Sequence, residues 1–134
     1  MSKVKLAISG CMGRMGQQLV KSSKTDKNFK LTTLTENRLI EKKIAGIKPS
    51  LNHENSFKNV DLIIDFTIPK CTFVILKIAS KLKKRVVIGT TGFSKKEELQ
   101  IKKFSNKSTK PVLLLSINLS EYFFSPLYVS VFKK

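Results

Sequence analysis

Val4, Leu6 and Ile8 alternate with Lys5, Ala7 and Ser9, the period-two pattern of a strand, with β-branched residues at 4 and 8. Gly10 breaks that pattern, and Met15, Leu19 and Val20 then recur at helical spacing. Phe29 to Thr35 reads as a second strand ending at Glu36. Asp61 to Phe66 is a near-continuous apolar run, as a buried parallel strand requires. Pro69 suits the first turn of a helix, and an apolar stripe follows at Val74, Ile75, Ile78, Ala79 and Leu82, stopping at Lys83-Lys84. Arg85 to Ile88 is the next strand, and Ser94 with Glu97 forms a capping box for another helix. Val112 to Leu115 closes the series after Lys110-Pro111. Strands and helices alternating at this spacing predict an α/β fold, a single Rossmann-like domain on a doubly wound parallel sheet. Residues 37–59 interrupt the series with Gly46, Pro49 and the sole histidine. That histidine, His53, lies in the polar run Leu51-Asn52-His53-Glu54-Asn55 and is expected at the surface with no base or nucleophile partner.

Every candidate for chemistry falls at the carboxyl end of a strand, where open parallel sheets bind ligands. Gly10, Gly13 and Gly16 follow the first strand at three-residue steps, with Met12 at the middle position of the usual G-x-G-x-x-G fingerprint. Gly10 can supply the tight turn, and Gly16 can let the helix pack closely on the strand. The loop amides and the positive end of the helix dipole would then face a pyrophosphate. Glu36 comes about 20 residues after Gly16, the distance at which an acid closes the first βαβ unit onto a ribose. Its carboxylate favours NAD, whereas Arg38 could pair with a 2′-phosphate, so NADP stays open. The same residues also fit an ordinary strand–helix turn with a solvated acid at the next strand end. Asp61 and Asp65 stand at opposite ends of one strand, so they are read as no acid/base pair, and Asp65 is expected to cap the loop after it. No nucleophile elbow, Walker loop, zinc spacing or repeat is visible in the sequence.

The 134 residues suffice for one domain with a sizeable core. No apolar run approaches the ~20 residues of a membrane span, and after Lys3 and Lys5 too few apolar residues precede Gly10 for a signal peptide. Cys11 and Cys71 are isolated, which predicts neither disulfide nor metal site and fits a cytoplasmic setting. The net charge of +17 raises the question of nucleic acid, yet among 26 basic residues only Arg14, Arg38 and Arg85 are arginine. Base readout and bidentate phosphate recognition lean on arginine, and the lysines are spread along the chain. A solvated basic surface is expected, with weak non-specific binding to nucleic acid at low salt and no specific site.

Four motifs in order give the chain a resemblance to the N-terminal nucleotide-binding domain of the 4-hydroxy-tetrahydrodipicolinate reductase (dihydrodipicolinate reductase) family. They are Gly10-Cys11-Met12-Gly13-Arg14-Met15-Gly16, Asp65-Phe66-Thr67 with Pro69, Gly89-Thr90-Thr91-Gly92-Phe93, and Ser116-Ile117-Asn118-Leu119-Ser120. The resemblance runs from about residue 3 to 120. It implies NAD(P)H as cofactor, with Gly10, Cys11, Met12, Gly13, Arg14 and Met15 at the pyrophosphate and Glu36 at the adenosine ribose. It further implies Gly89, Thr90 and Thr91 on the nicotinamide side, with Ser116, Ile117, Asn118 and Leu119 closing the cleft. The family often has arginine after the acidic residue, and here Asn37 stands there, which weakens NADP unless Arg38 substitutes. In the family, hydride passes from the cofactor to the unsaturated ring of the substrate, in lysine and diaminopimelate biosynthesis.

After Ser120 the resemblance ends. The family continues into a second domain whose H-H-x-x-K-x-D-A-P-S-G-T segment supplies proton donor, dicarboxylate binding and tetramer contacts. Here Glu121-Tyr122-Phe123-Phe124-Ser125-Pro126 follows, and residues 121–134 hold Tyr122, Phe123, Phe124, Tyr128 and Phe132. The expectation is a cofactor domain over 1–120 and a divergent aromatic tail over 121–134, left by a truncation or a frameshift near residue 120. No catalytic residue is then assigned, the dicarboxylate substrate needs a separately supplied C-terminal domain, and the family's homotetramer contacts are absent. A non-catalytic NAD(P)H-binding module is the rival reading.

Overall fold

The computed structural model describes residues 2–107, 110 and 112–114. Five strands, β1 (Val4–Ser9), β2 (Phe29–Thr35), β3 (Leu62–Asp65), β4 (Arg85–Ile88) and β5 (Val112–Leu114), form one sheet of order β2-β1-β3-β4-β5. All four pairings are parallel. Four helices connect them: α1 (Arg14–Thr25), α2 (Glu54–Phe57), α3 (Pro69–Leu82) and α4 (Lys95–Lys107).

Alternation along the strands sends side chains to two cores. Leu6, Ile8, Leu34, Leu62, Ile64 and Val87 pack with Val20 of α1 on one face. Ala7, Ile63, Val86 and Ile88 pack with Ile75, Leu76 and Ala79 of α3 and Ile101 of α4 on the other. Each side chain fully buried in this way contributes about 1.5–3 kcal/mol, so both faces hold the sheet, as a doubly wound fold requires. The chain leaves β1 toward β2 on one side and returns to β3 on the other. The strand order therefore reverses between β1 and β3, and this switch point locates the crevice where such sheets take ligands.

Local chemistry fixes the element ends. Pro69 is in the first turn of α3, and Lys83 closes that helix in the left-handed region at φ 56. Ser94 Oγ accepts from Glu97 N–H at 3.1 Å while Ser94 N–H donates to the Glu97 carboxylate at 3.0 Å, the reciprocal capping box. β3 is shorter than the run Asp61–Phe66. Asp61 instead accepts the Lys5 N–H at 2.9 Å at the amino end of the sheet, opposite Asp65.

One expectation needs correction. Val74 is exposed, and the buried line of α3 is Thr72, Ile75, Leu76 and Ala79, because steps of three and four place Leu76, not Val74, over the sheet. Residues 37–59, which interrupt the sequence pattern, are anchored to the fold. Phe57 is fully buried, Ile40 is buried, and Ser50 forms a parallel bridge with Thr35 beside the end of β2. His53 is exposed as expected. Ser56 Oγ does come within 3.3 Å of its Nδ1, but that hydroxyl donates to Leu51 O at 2.6 Å. Among the described residues, no helix is long and apolar enough to cross a membrane.

Candidate functional site

The chain leaves β1 through Gly10 at φ +80, a conformation that L side chains rarely adopt. A Cβ there would also lie 2.2 Å from Phe66 O, so the turn fits against the segment after β3 only as glycine. At Gly16 a Cβ would meet Gly10 O at 2.0 Å and Cys11 Cα at 2.8 Å. Gly16 thus lets α1 close down on the turn itself rather than on the strand. Four turn amides already have protein acceptors. Gly10 N–H and Cys11 N–H donate to Thr35 O at 3.0 and 3.4 Å, Gly13 N–H to Gly10 O at 3.1 Å, and Met12 N–H to the Glu36 carboxylate at 3.0 Å. The helix begins its own ladder with Gln17 N–H to Gly13 O at 2.9 Å. The amides of Arg14, Met15 and Gly16 are therefore left without intrahelical acceptors. Gly13 supplies no side-chain cap and the first turn holds no acid, so the positive end of the helix is open to an anion.

Glu36 stands at the end of β2, half-buried, and its second oxygen accepts the Asn37 N–H at 3.2 Å. A carboxylate has about four lone-pair sites, so two amide bonds leave capacity for hydroxyls of a ligand. Gly10, Gly13, Glu36, Asn37, Phe66, Thr67, Ile68 and Cys71 line a cleft of about 190 Å³ at the switch point. Two larger cavities, of about 470 and 460 Å³, lie between α3 and α4 and at the amino ends of the strands. Neither has a glycine turn or an open helix end, so the smaller cleft is the better candidate site. Arg14 and Arg38 are exposed, and Met15 is half-buried.

Behind this cleft lies a buried carboxyl. Asp65 is fully enclosed and accepts from Thr67 Oγ1 at 2.5 Å, Thr72 Oγ1 at 2.5 Å and Thr90 Oγ1 at 3.2 Å. Thr67 N–H donates in turn to Thr90 Oγ1 at 2.9 Å. Asp65 thus ties down the loop after it, as expected, and the loop after β4 as well. Burial pushes its carboxyl above the ordinary 3.8, against the opposing pull of these hydrogen bonds. The folded chain then holds the proton more tightly than the unfolded chain, so the stability contributed by Asp65 falls as pH rises past that value. Urea unfolding between about pH 4 and pH 7 is expected to show wild type losing ground to Asp65→Asn as pH increases. Wild type gaining on the variant would contradict the raised value.

Of the expected residues, Gly10, Gly13 and Glu36 line the cleft, and the others have different places. Cys11 is fully buried in the core and its thiol is pushed up to about 11, first by burial and then by Glu36, so only its backbone faces the turn. A Cβ on Gly89 would lie 2.2 Å from the Phe66 ring, which places the start of the β4 loop directly against the cleft wall. Thr90 is buried with its hydroxyl turned into the Asp65 cluster, while Thr91 is exposed. Ser116, Ile117, Asn118 and Leu119 lie outside the described residues. Sequence reasoning missed Phe66, Thr67, Ile68 and Cys71 as cleft lining. The Asp65-Phe66-Thr67 motif was the signal that could have found them.

Comparison with known proteins places this arrangement among relatives. A family model described as "Dihydrodipicolinate reductase, N-terminus" matches residues 4–118. The 4-hydroxy-tetrahydrodipicolinate reductase of Pelagibacter ubique is 66% identical over 127 residues, covering 91% of this chain and 48% of that protein. The chain thus spans about half the length of the curated relatives it matches. Among solved structures, a dipicolinate-bound dihydrodipicolinate reductase from Paenisporosarcina superposes with a TM-score of 0.70 at 21% identity, over 86% of this chain and 48% of that one. A Staphylococcus aureus homoserine dehydrogenase superposes as well, with a TM-score of 0.71 at 14% identity, over 88% and 33%. At such identities the likeness speaks to the fold alone.

Proposed function

The chain belongs to the family of dihydrodipicolinate reductase N-termini, and on that footing we propose that residues 1–120 are the NAD(P)H-binding part of a 4-hydroxy-tetrahydrodipicolinate reductase. The observation that carries the reading is the meeting of an open helix end, the glycines Gly10 and Gly13 of the turn and Glu36 in one cleft at the β1/β3 switch point. The residues fit a dinucleotide, since Gly13, which carries no side chain, and the uncapped first turn of α1 leave the cleft beside Glu36 open to a pyrophosphate. When bound, NAD(P)H supplies the hydride that reduces 4-hydroxy-tetrahydrodipicolinate to tetrahydrodipicolinate.

The chain's own residues bind and orient. The first-turn amides of α1, beginning at Arg14, neutralise the pyrophosphate charge. Glu36 accepts from the adenosine ribose while keeping hold of Met12, so ligand and loop are fixed by one carboxylate. Asn37, not an arginine, lines the cleft beside it, which suits a ribose with a free 2′-hydroxyl; a 2′-phosphate would call on Arg38, which is exposed and outside the cleft lining. Phe66 against Gly89 walls the nicotinamide side from water.

The family's paired histidines and lysine have no counterpart here, His53 being the sole histidine, so proton donation and dicarboxylate binding fall to a C-terminal half. Co-expression with the C-terminal half of the Pelagibacter relative is expected to give substrate-dependent oxidation of NADH or NADPH, and this chain alone none. Turnover by the purified chain alone would overturn that division. Dinucleotide binding with no turnover in either preparation would favour a non-catalytic NAD(P)H-binding module.

A further inference from the structure

We propose that Asp65 is a positioning residue for the dinucleotide cleft, joining the segment after β3, the first turn of α3 and the segment after β4 into one wall. The proposal rests on the dinucleotide reading above and assigns a part to a residue that touches no ligand. Its three hydroxyl partners come from three separate places: Thr67 directly after β3, Thr72 in α3, and Thr90 after β4. The Thr67 N–H bond to Thr90 Oγ1 closes the ring between the two loops. Phe66, Thr67 and Ile68, which the ring holds, form the side of the cleft that faces Gly10, Gly13 and Glu36. The gap has little tolerance, because Phe66 O already fills the space of a Gly10 side chain.

The arrangement is unlike a stabilising ion pair. Among the described residues the salt bridges are Lys48–Glu41 and Lys81–Glu54, both remote and solvated. A fully buried carboxyl with no cation is a poor device for stability compared with an apolar side chain of similar size. It is a good device for fixing geometry, since each oxygen accepts along defined directions and a shift of any partner breaks a buried bond.

The test uses the full chain as wild type, Asp65→Asn and Thr72→Val, each titrated with NADH and with NADPH well below its unfolding midpoint. Asp65→Asn keeps the volume but loses one acceptor, and is expected to weaken dinucleotide binding about tenfold, the effect of one buried charge-assisted hydrogen bond. The emission maximum of bound NADH is expected to shift with it, because the wall beside the nicotinamide moves. Thr72→Val leaves Asp65 in place, removes one donor and is expected to weaken binding about threefold. Should Asp65→Asn fail to fold, Thr72→Val carries the test. Variants that unfold at lower temperature yet bind with wild-type affinity and wild-type emission would show a merely structural role and overturn the proposal. A wild-type chain that binds neither dinucleotide would overturn the functional reading and this proposal with it. Wild-type binding with unaffected variants would overturn the positioning role alone.

Discussion

Gly10→Ala is expected to destabilise the chain by about 2–5 kcal/mol, a large part of the roughly 5–15 kcal/mol that holds a domain of this kind together. Two costs add. The left-handed backbone at φ +80 costs a side chain about 1–2 kcal/mol. The overlap with Phe66 O, at 2.2 Å from the added carbon, adds about 1–3 kcal/mol of overpacking. The neighbour is backbone, pinned by Phe66 N–H to Ser9 O at 3.1 Å, and cannot swing aside as a flexible side chain would. Relief requires β1 and β3 to part at the switch point, which also opens the cleft. Urea unfolding and NADH titration of the same preparation are therefore expected to lose stability and binding together. Gly46→Ala is the control, since φ is again positive at 78 but no atom lies within 4 Å, so only the backbone cost applies. Equal losses at the two positions would contradict the close approach at Gly10.

Glu36→Ala is expected to weaken dinucleotide binding about 10- to 100-fold while leaving the fold intact. The side chain is half-buried at the rim, so truncation leaves no large cavity. It does remove the charged acceptor expected to hold the ribose, worth about 1.5–3 kcal/mol, and it releases Met12 N–H. Glu36→Gln separates the two, because its amide oxygen can still accept from Met12 while the charge is gone. Calorimetric titration should rank wild type above Glu36→Gln and Glu36→Gln above Glu36→Ala. Wild-type affinity in Glu36→Ala would mean that the acid is only a strand-end residue.

Much of this architecture was legible because periodic burial dominates it. β1, β2 and β4 announce themselves by alternation or by unbroken apolar runs, and Pro69 and the Ser94–Glu97 box mark helix starts by backbone chemistry alone. Val74 was misplaced because a β-branched apolar residue next to Ile75 looks like core until the helical phase is followed through Leu76 and Ala79. Residues 37–59 stayed opaque because their structure is a four-residue helix and isolated bridges, held by Phe57 packing into the core beside Ile63 and Ile75 rather than by local pattern. The site divides in the same way. Gly10, Gly16 and Glu36 are readable because a turn and a spacing demand them. Phe66, Thr67, Ile68 and Cys71 become part of the cleft because β3 pairs with β1; the Asp65-Phe66-Thr67 motif marks their segment, and only the long-range pairing sets it across from Gly10 and Glu36.

On the functional proposal, the cleft between the glycine turn and the segment after β3 binds NAD(P)H. Titration of the ¹⁵N-labelled 134-residue chain with NADH and NADPH tests it most directly. Saturable one-to-one binding is expected, with amide shifts concentrated at Gly10–Gly16, at Glu36 and Asn37, and at Phe66–Cys71. No saturation, or shifts confined to the cavity beside Phe73 and Phe104 or to the basic end around Lys83–Arg85, would contradict it.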